Sequence, residues 1–380
     1  MANSVAGGSL LRPAKDRMAR AESRAHKPAF ILLCGCPRSG TTLLSRHLGS
    51  ALNIAVPDET HFIPHFRRYL RLWGNLDDPA HQRDLCAAMA AYTKIWVYRG
   101  MRARDPDRLI GISLYPILER MKPVAGGFQQ ILQTAFRTYA DGIGMPFYGD
   151  KSASFEPENL ALYDSSVDNL RVIHLIRDGR DVYRSWHAQW FGPRTVAEAA
   201  AMWKRHVEGR RLWARANKDR YFEIRYEDFV ADPHATLVGV AQFLGIPGPD
   251  ADAAKDVLGS VLSGEAGHSK LAEPIDPNNT DRWRELPLKD LKLFEFVAGD
   301  TLKACGYSVA HDEYLVAKQI NLYLRSRLGL LDQLFTANFY LRRIRALLPL
   351  IFRFLQFFHI SVDAFARSIT RGSSPANEGV

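Results

Sequence analysis

Apolar positions in this 380-residue chain form short closed runs, separated by longer stretches of helical spacing. Phe30 to Cys34 (FILLC) is a continuous apolar run that ends at a Gly-containing turn, the pattern of a strand buried on both faces. The following TTLLSRHLGS has helical spacing. RVIHLI at 171–176 leads into DGRDVYRSWHAQW, again helical, and YFEIRY at 221–226 precedes a helix over 234–244 that stops at Gly245-Ile246-Pro247. Apolar strands alternating with helices predict an α/β fold, a parallel sheet covered on both faces, whose ligands sit at the carboxyl ends of strands. Further helices are expected near 61–73, 80–99, 125–140 and 195–216, as a lid or an acceptor-binding insertion. Gly264 to Pro287, rich in Asp, Pro and Asn, reads as a long ordered loop of the kind that carries function.

The pattern changes after residue 310. From Tyr314 to Ile369 the chain is dense in Leu, Phe, Ile and Arg, with FYLRRIRALLPLIFRFLQFFHI at its centre and Pro349 expected to break the helix. This C-terminal basic amphipathic helical extension also holds most of the charge. The chain carries a net charge of +9, and Leu315 to Arg371 contains nine Lys or Arg against two acids. The body is therefore nearly neutral, which argues against a nucleic-acid partner. A basic, aromatic-rich helix can lie in an anionic membrane surface, pack on the domain, or join a second subunit as a homodimer. All three remain open. The expected layout is a disordered basic arm over 1–27, a domain over 28–310, the extension over 311–372 and a disordered tail over 373–380.

No segment reaches the roughly 18 uncharged apolar residues needed to span a bilayer, and the N-terminus lacks the apolar core of a secretory leader. The four cysteines are too few and too scattered for a disulfide framework or a zinc site. A cytoplasmic protein is expected, able to associate peripherally with a membrane.

Candidate chemistry begins at Gly35-Cys36-Pro37-Arg38-Ser39-Gly40-Thr41-Thr42. The Gly-x4-Gly spacing between a strand and a helix is that of a loop whose amides and helix N-terminus hold a phosphate, so the fold is a P-loop-type sheet. A nucleotide hydrolase needs lysine at position 41 and a metal-bound hydroxyl after it; here Thr41 stands there and the cation has moved to Arg38. An arginine in the loop can instead pair with charge developing on a bridging phosphate oxygen as a sulfuryl group departs.

Pro37-Arg-Ser-Gly-Thr-Thr42 resembles the 5'-phosphosulfate loop of the sulfotransferase family, most closely tyrosylprotein sulfotransferases and bacterial enzymes with the same Pro-Arg-Ser-Gly-Thr-Thr run. The resemblance implies transfer of a sulfuryl group from 3'-phosphoadenosine 5'-phosphosulfate to an acceptor hydroxyl on a glycan, lipid head group or small alcohol, with no metal. It also implies that Pro37, Arg38, Ser39, Gly40, Thr41 and Thr42 grip the 5'-phosphosulfate. Arg177, followed eight residues later by Ser185, is similar to the family's 3'-phosphate signature. By spacing alone Arg177 could equally pair with Asp178 or Asp181. Arg225-Tyr-Glu-Asp228 and the Phe-Leu-Gly ending at Gly245 resemble structural elements of the family. Arg282 and Arg284, in Asn-Asn-Thr-Asp-Arg-Trp-Arg284, resemble phosphate contacts of a late covering loop, or else belong to an exposed loop.

Transfer to a hydroxyl needs a base, and Pro57-Asp-Glu-Thr-His-Phe-Ile-Pro64 offers Glu59 and His61. A similar element in tyrosylprotein sulfotransferases implies Glu59; His61 is the second candidate. His61 and His65 have the spacing of a metal pair but lack an acidic or cysteine partner in sequence. Lys151, expected just after a strand, resembles the family lysine that stabilises the transferring group. Gln189 stands where the tyrosylprotein enzymes carry an arginine, so a peptide tyrosine acceptor is not implied. A P-loop kinase and a non-catalytic membrane-associated binding module are the alternative readings.

Overall fold

The structure, a computed structural model, describes residues 29–57, 59–101, 114–152, 157–187, 189, 192–249, 279–310, 349–353 and 356, with the backbone alone for 94–101. The strands are β1 (Phe30–Gly35), β2 (Ile54–Ala55), β3 (Phe147–Ser152), β4 (Leu170–Ile176) and β5 (Tyr221–Arg225). They form one all-parallel sheet in the order β2-β3-β1-β4-β5.

Every residue of β1 is buried because both faces are covered. Side chains alternate along the pleat: Phe30, Leu32 and Cys34 enter one apolar cluster, Ile31 and Leu33 the other. The helices are α1 (Thr41–Leu52), α2 (Phe62–Phe66), α3 (Pro79–Met101), α4 (Tyr115–Arg120), α5 (Phe128–Gly142), α6 (Leu160–Asp164), α7 (Gly179–His187), α8 (Val196–Ala216), α9 (Tyr226–Ala231), α10 (Pro233–Leu244) and α11 (Leu288–Ala304). Helices α1, α9 and α10 cover the Ile31 face, and α3, α4 and α5 pack on the Phe30 face. A third cluster joins α7, α8 and α11 around Trp186, Trp203 and Phe294.

Local signals set the boundaries. Asp232 caps α10 by accepting from Ala235 N–H at 2.8 Å, with Pro233 in the first turn, and Gly245 ends the helix at φ 65°. At the start of α8, Thr195 accepts from Glu198 N–H, and Glu198 accepts from Arg194 N–H.

The chain runs from β1 through β2 to β3 on one side of β1, then crosses to β4 on the other. The order reverses at β1, so the crevice of this sheet opens at the carboxyl ends of β3, β1 and β4. Lys151 departs from its expected place: it lies inside β3, whose polar end stays in register with Leu33 and Cys34 of β1. The insertion helices run close to the expected spans. The 1–27 arm, residues 264–278 of the long loop and the 373–380 tail lie outside the described residues.

Part of the extension is described. Residues 349–353 are helical. Phe352 is fully buried in the cluster on α3, Arg353 pairs with Asp84 at 2.9 Å, and Gln356 donates to the Asp84 carbonyl at 2.7 Å. This piece packs on the domain. No helix among the described residues is long and apolar enough to cross a membrane.

Candidate active site

The loop between β1 and α1 is built on close approaches that exclude side chains. A Cβ at Gly35 would lie 2.6 Å from the Leu175 carbonyl oxygen; one at Gly40, where φ is +96°, would lie 2.7 Å from the Tyr226 ring. Arg38 itself sits at φ 71°, a conformation that costs energy in a non-glycine residue and that clusters at functional sites. The turn closes with Ser39 N–H donating to Cys36 C=O at 3.0 Å, and α1 then starts with no acidic residue in its first turn. Its free amides and dipole favour an anion. Among the described residues Ser39 Oγ is buried without a hydrogen-bond partner, a cost that an anion accepting from it would offset.

Arg38 Nε donates to Ser185 Oγ at 3.1 Å, joining the loop to α7 across 147 residues of sequence. Burial, and then the neighbouring Arg177 charge, push the Arg38 guanidinium below its ordinary value. The two expected anion-binding arginines therefore share one crevice. Arg177 does not pair with either nearby acid: Arg180 occupies the Asp178 carboxylate through bonds of 3.0 and 2.7 Å. Instead Arg177 Nη2 donates to Asn279 C=O at 2.7 Å, its guanidinium stacks 4.3 Å from the Tyr226 ring, and its Nε is buried without a partner among the described residues. Asp181 is buried beside it, and its carboxyl is pushed up to about 6, chiefly by burial, with Arg177 opposing the rise.

A rivet fixes the start of α7. Buried Arg180 bridges Asp178 and, at 2.6 Å, Glu295 of α11, while its guanidinium lies 3.6 Å from the Trp283 ring. That holds the 279–285 segment over Arg177. Within the segment, however, Arg282 pairs with Glu285 at 3.3 Å and Arg284 pairs with Asp281 at 3.7 Å, both at the surface. The backbone of Asn279, and not these two side chains, meets the crevice in this structure.

Lys151 is buried at the end of β3, and its Nζ donates to Thr42 Oγ1 at 3.2 Å, which brings the ammonium to the first turn of α1. On the turn before α2, Glu59 and His61 meet at 3.2 Å, with His61 at φ 53°. The two candidate bases thus form one pair. His61 and His65 lie ring to ring at 6.1 Å, and among the described residues no group of three or more His, Cys, Asp or Glu could hold a metal ion.

Sequence reasoning missed Tyr226, which lines both halves of the crevice: its ring meets Gly40 and Arg177, and its hydroxyl accepts from Asn279 Nδ2 at 3.3 Å. The available signal was position, since it directly follows the carboxyl end of β5, where ligands of parallel sheets bind.

A family model described as the sulfotransferase family matches residues 28–250, more than half of the chain. The fold is similar to that of the sulfotransferase domain from the Synechococcus PCC 7002 olefin synthase, at 20% identity and a TM-score of 0.51, covering 75% of this chain and 98% of that one. It is likewise similar to the sulfotransferase domain from the curacin biosynthetic pathway, at 19% identity and a TM-score of 0.50, covering 75% of this chain and all of that one. Among curated proteins, none matches.

Proposed function

This chain belongs to the sulfotransferase family and transfers sulfuryl groups, and we propose that its donor is 3'-phosphoadenosine 5'-phosphosulfate and its acceptor a hydroxyl. The observation that carries the donor assignment is the pairing of Arg38 with Arg177 in one crevice, where neither makes an ion pair among the described residues. Two cations held that close repel each other unless anions sit between them. Among the described residues, buried Ser39 Oγ and Arg177 Nε have no acceptors, and the close packing of Gly35 on Leu175 and of Gly40 on Tyr226 holds the loop that carries them. These residues fit a nucleotide with an anionic group at each end.

In this reading the amides of residues 40–42 at the N-terminus of α1 hold the 5' end, and Arg177 with Ser185 holds the 3'-phosphate. When bound, the donor supplies the sulfuryl group and leaves as adenosine 3',5'-bisphosphate. Arg38 and Lys151 offer positive charge where the leaving oxygen gains negative charge, a contribution larger in a dry site than in water. Glu59 takes the proton of the acceptor hydroxyl, with His61 orienting its carboxylate.

The acceptor class proposed is a glycan, lipid head group or small alcohol. For the extension beyond residue 311 we propose contact with an anionic membrane surface in addition to the docking of Phe352. The test is transfer of labelled sulfate from the donor to octyl glucoside, phosphatidylglycerol or octanol. Labelled product with matching release of the bisphosphate supports the reading; binding of the bisphosphate without transfer to any hydroxyl would leave a binding module.

A further inference from the structure

The carboxyl end of β3 carries a second buried charge that the steps above do not use. Asp150 is fully buried and faces away from Lys151: it is in register with Leu32 on the Phe30 side of the sheet, whereas Lys151 is in register with Leu33 on the α1 side. Its Oδ2 accepts from Thr60 Oγ1 at 2.9 Å and from Tyr163 OH at 2.8 Å, and its Oδ1 is buried with no hydrogen-bond partner among the described residues. Burial pushes this carboxyl up to about 6, against the two hydroxyls and His61, while the nearby Glu59 charge raises it further.

A carboxylate in that position is an expensive way to fill space. Leu32, its neighbour on the same face, does so with hydrocarbon, and a buried charge with one oxygen left without a donor is destabilising. What the carboxylate touches is the turn that bears the base. Thr60 lies between Glu59 and His61, and the left-handed His61 begins α2. A turn with a strained residue keeps one geometry only when its surroundings over-determine it.

We propose that Asp150 is a positioning residue which, through Thr60, holds the turn carrying Glu59 and His61 against the end of β3. The inference rests on the reading of Glu59 as the base. Successive residues of one strand then set the two sides of the reaction: residue 150 fixes the base turn from one face, and residue 151 reaches the phosphate loop from the other. The separation of base and cation is thereby fixed by a single peptide unit of a central strand, in place of a flexible loop. The groups facing Asp150 are Thr60, His61 and Glu59 from the base turn and Tyr163 from α6. Because Asp150 and Glu59 repel, removing the Asp150 charge also changes how the base titrates.

The experiment compares T60V, T60S, Y163F, D150N and E59Q in the full chain, with the phosphosulfate donor and the fastest of the three acceptors above. It reads kcat, donor KM, the pH profile of kcat and the melting temperature. T60V should lower kcat by about 10- to 100-fold, with donor KM within about threefold, because a base displaced by a fraction of an ångström loses rate without losing donor affinity. T60S, which keeps the hydroxyl, should recover kcat to within about threefold. Y163F removes the other donor to the same oxygen and should lower the melting temperature while keeping most of kcat. D150N should move the acid limb of the profile to lower pH. T60V with unaltered kcat, or Y163F losing as much kcat as T60V, would overturn the proposal by reducing Asp150 to a stabilising residue. An E59Q protein as active as the unaltered chain brings down the base assignment and this inference with it. An inactive E59Q beside a fully active T60V brings down the inference alone.

Discussion

Arg177→Ala removes two kinds of interaction that can be measured apart. The Nη2 bond to Asn279 at 2.7 Å and the stack on Tyr226 at 4.3 Å belong to the protein; losing them loosens the crevice for every nucleotide. The buried, unpartnered Nε edge is what remains for a ligand. A charge-assisted hydrogen bond to phosphate is worth about 1.5–3 kcal/mol, so the preference for a 3'-phosphorylated nucleotide should fall about 10- to 150-fold. Titration calorimetry with adenosine 3',5'-bisphosphate and with adenosine 5'-monophosphate, on both proteins, gives the four affinities needed. The general loosening cancels in the ratio of ratios. If that ratio is unchanged while both affinities drop together, Arg177 organises the 279–285 segment and does not hold a 3'-phosphate.

Arg38→Ala should lower turnover by about two to three orders of magnitude while weakening the bisphosphate much less, because the lost donor acts mainly where charge develops; near-normal turnover removes Arg38 from the mechanism. Asp181, pushed up to about 6, binds protons in the folded chain that an ordinary carboxyl near 3.8 has released. Its contribution to stability is therefore fully present below about pH 4 and lost as pH rises through about 6. D181N should gain stability over the unaltered chain between pH 4 and 7, by up to about 3 kcal/mol in paired denaturant titrations; a flat difference would contradict this. Phe352→Ala should cost about 3–5 kcal/mol of stability, since the ring is fully buried on α3. Full-length protein should sediment with anionic vesicles, and a chain ending at His311 should not; a full-length protein that ignores the vesicles ends the membrane proposal.

The central strands β1 and β4 were legible because they are carried by apolar runs, and a parallel sheet buried on both faces leaves that mark in sequence; the edge strand β5 buries only Ile224. The phosphate loop was legible for a similar reason, since glycine spacing reports where backbone must approach backbone, as Gly35 does at Leu175. The polar half of β3 was not. Asp150 and Lys151 look like residues past the end of a strand, and partners such as Thr60, Tyr163 and Thr42, distant in sequence, help them stay buried inside it. The same long range hid Tyr226 and the bond from Arg180 to Glu295, which fixes the guanidinium that takes up Asp178 in place of Arg177. Arg282 and Arg284 carry the right charge in the right segment, but local acids at 285 and 281 take them up. Glu59 and His61 could be named as alternatives but not seen as one pair, because adjacency on a turn depends on the left-handed geometry of His61.

The central claim is that this phosphate loop, with Thr41 in place of a lysine and Arg38 beside Arg177, serves a 3'-phosphorylated nucleotide and not a triphosphate. Thermal denaturation of the full chain with equal concentrations of adenosine 3',5'-bisphosphate or of ATP with magnesium tests it most directly, because a ligand of the folded state stabilises by RT ln(1 + [L]/Kd). The account predicts a concentration-dependent rise in melting temperature with the bisphosphate and little or none with ATP and magnesium. A larger rise with ATP and magnesium would contradict it.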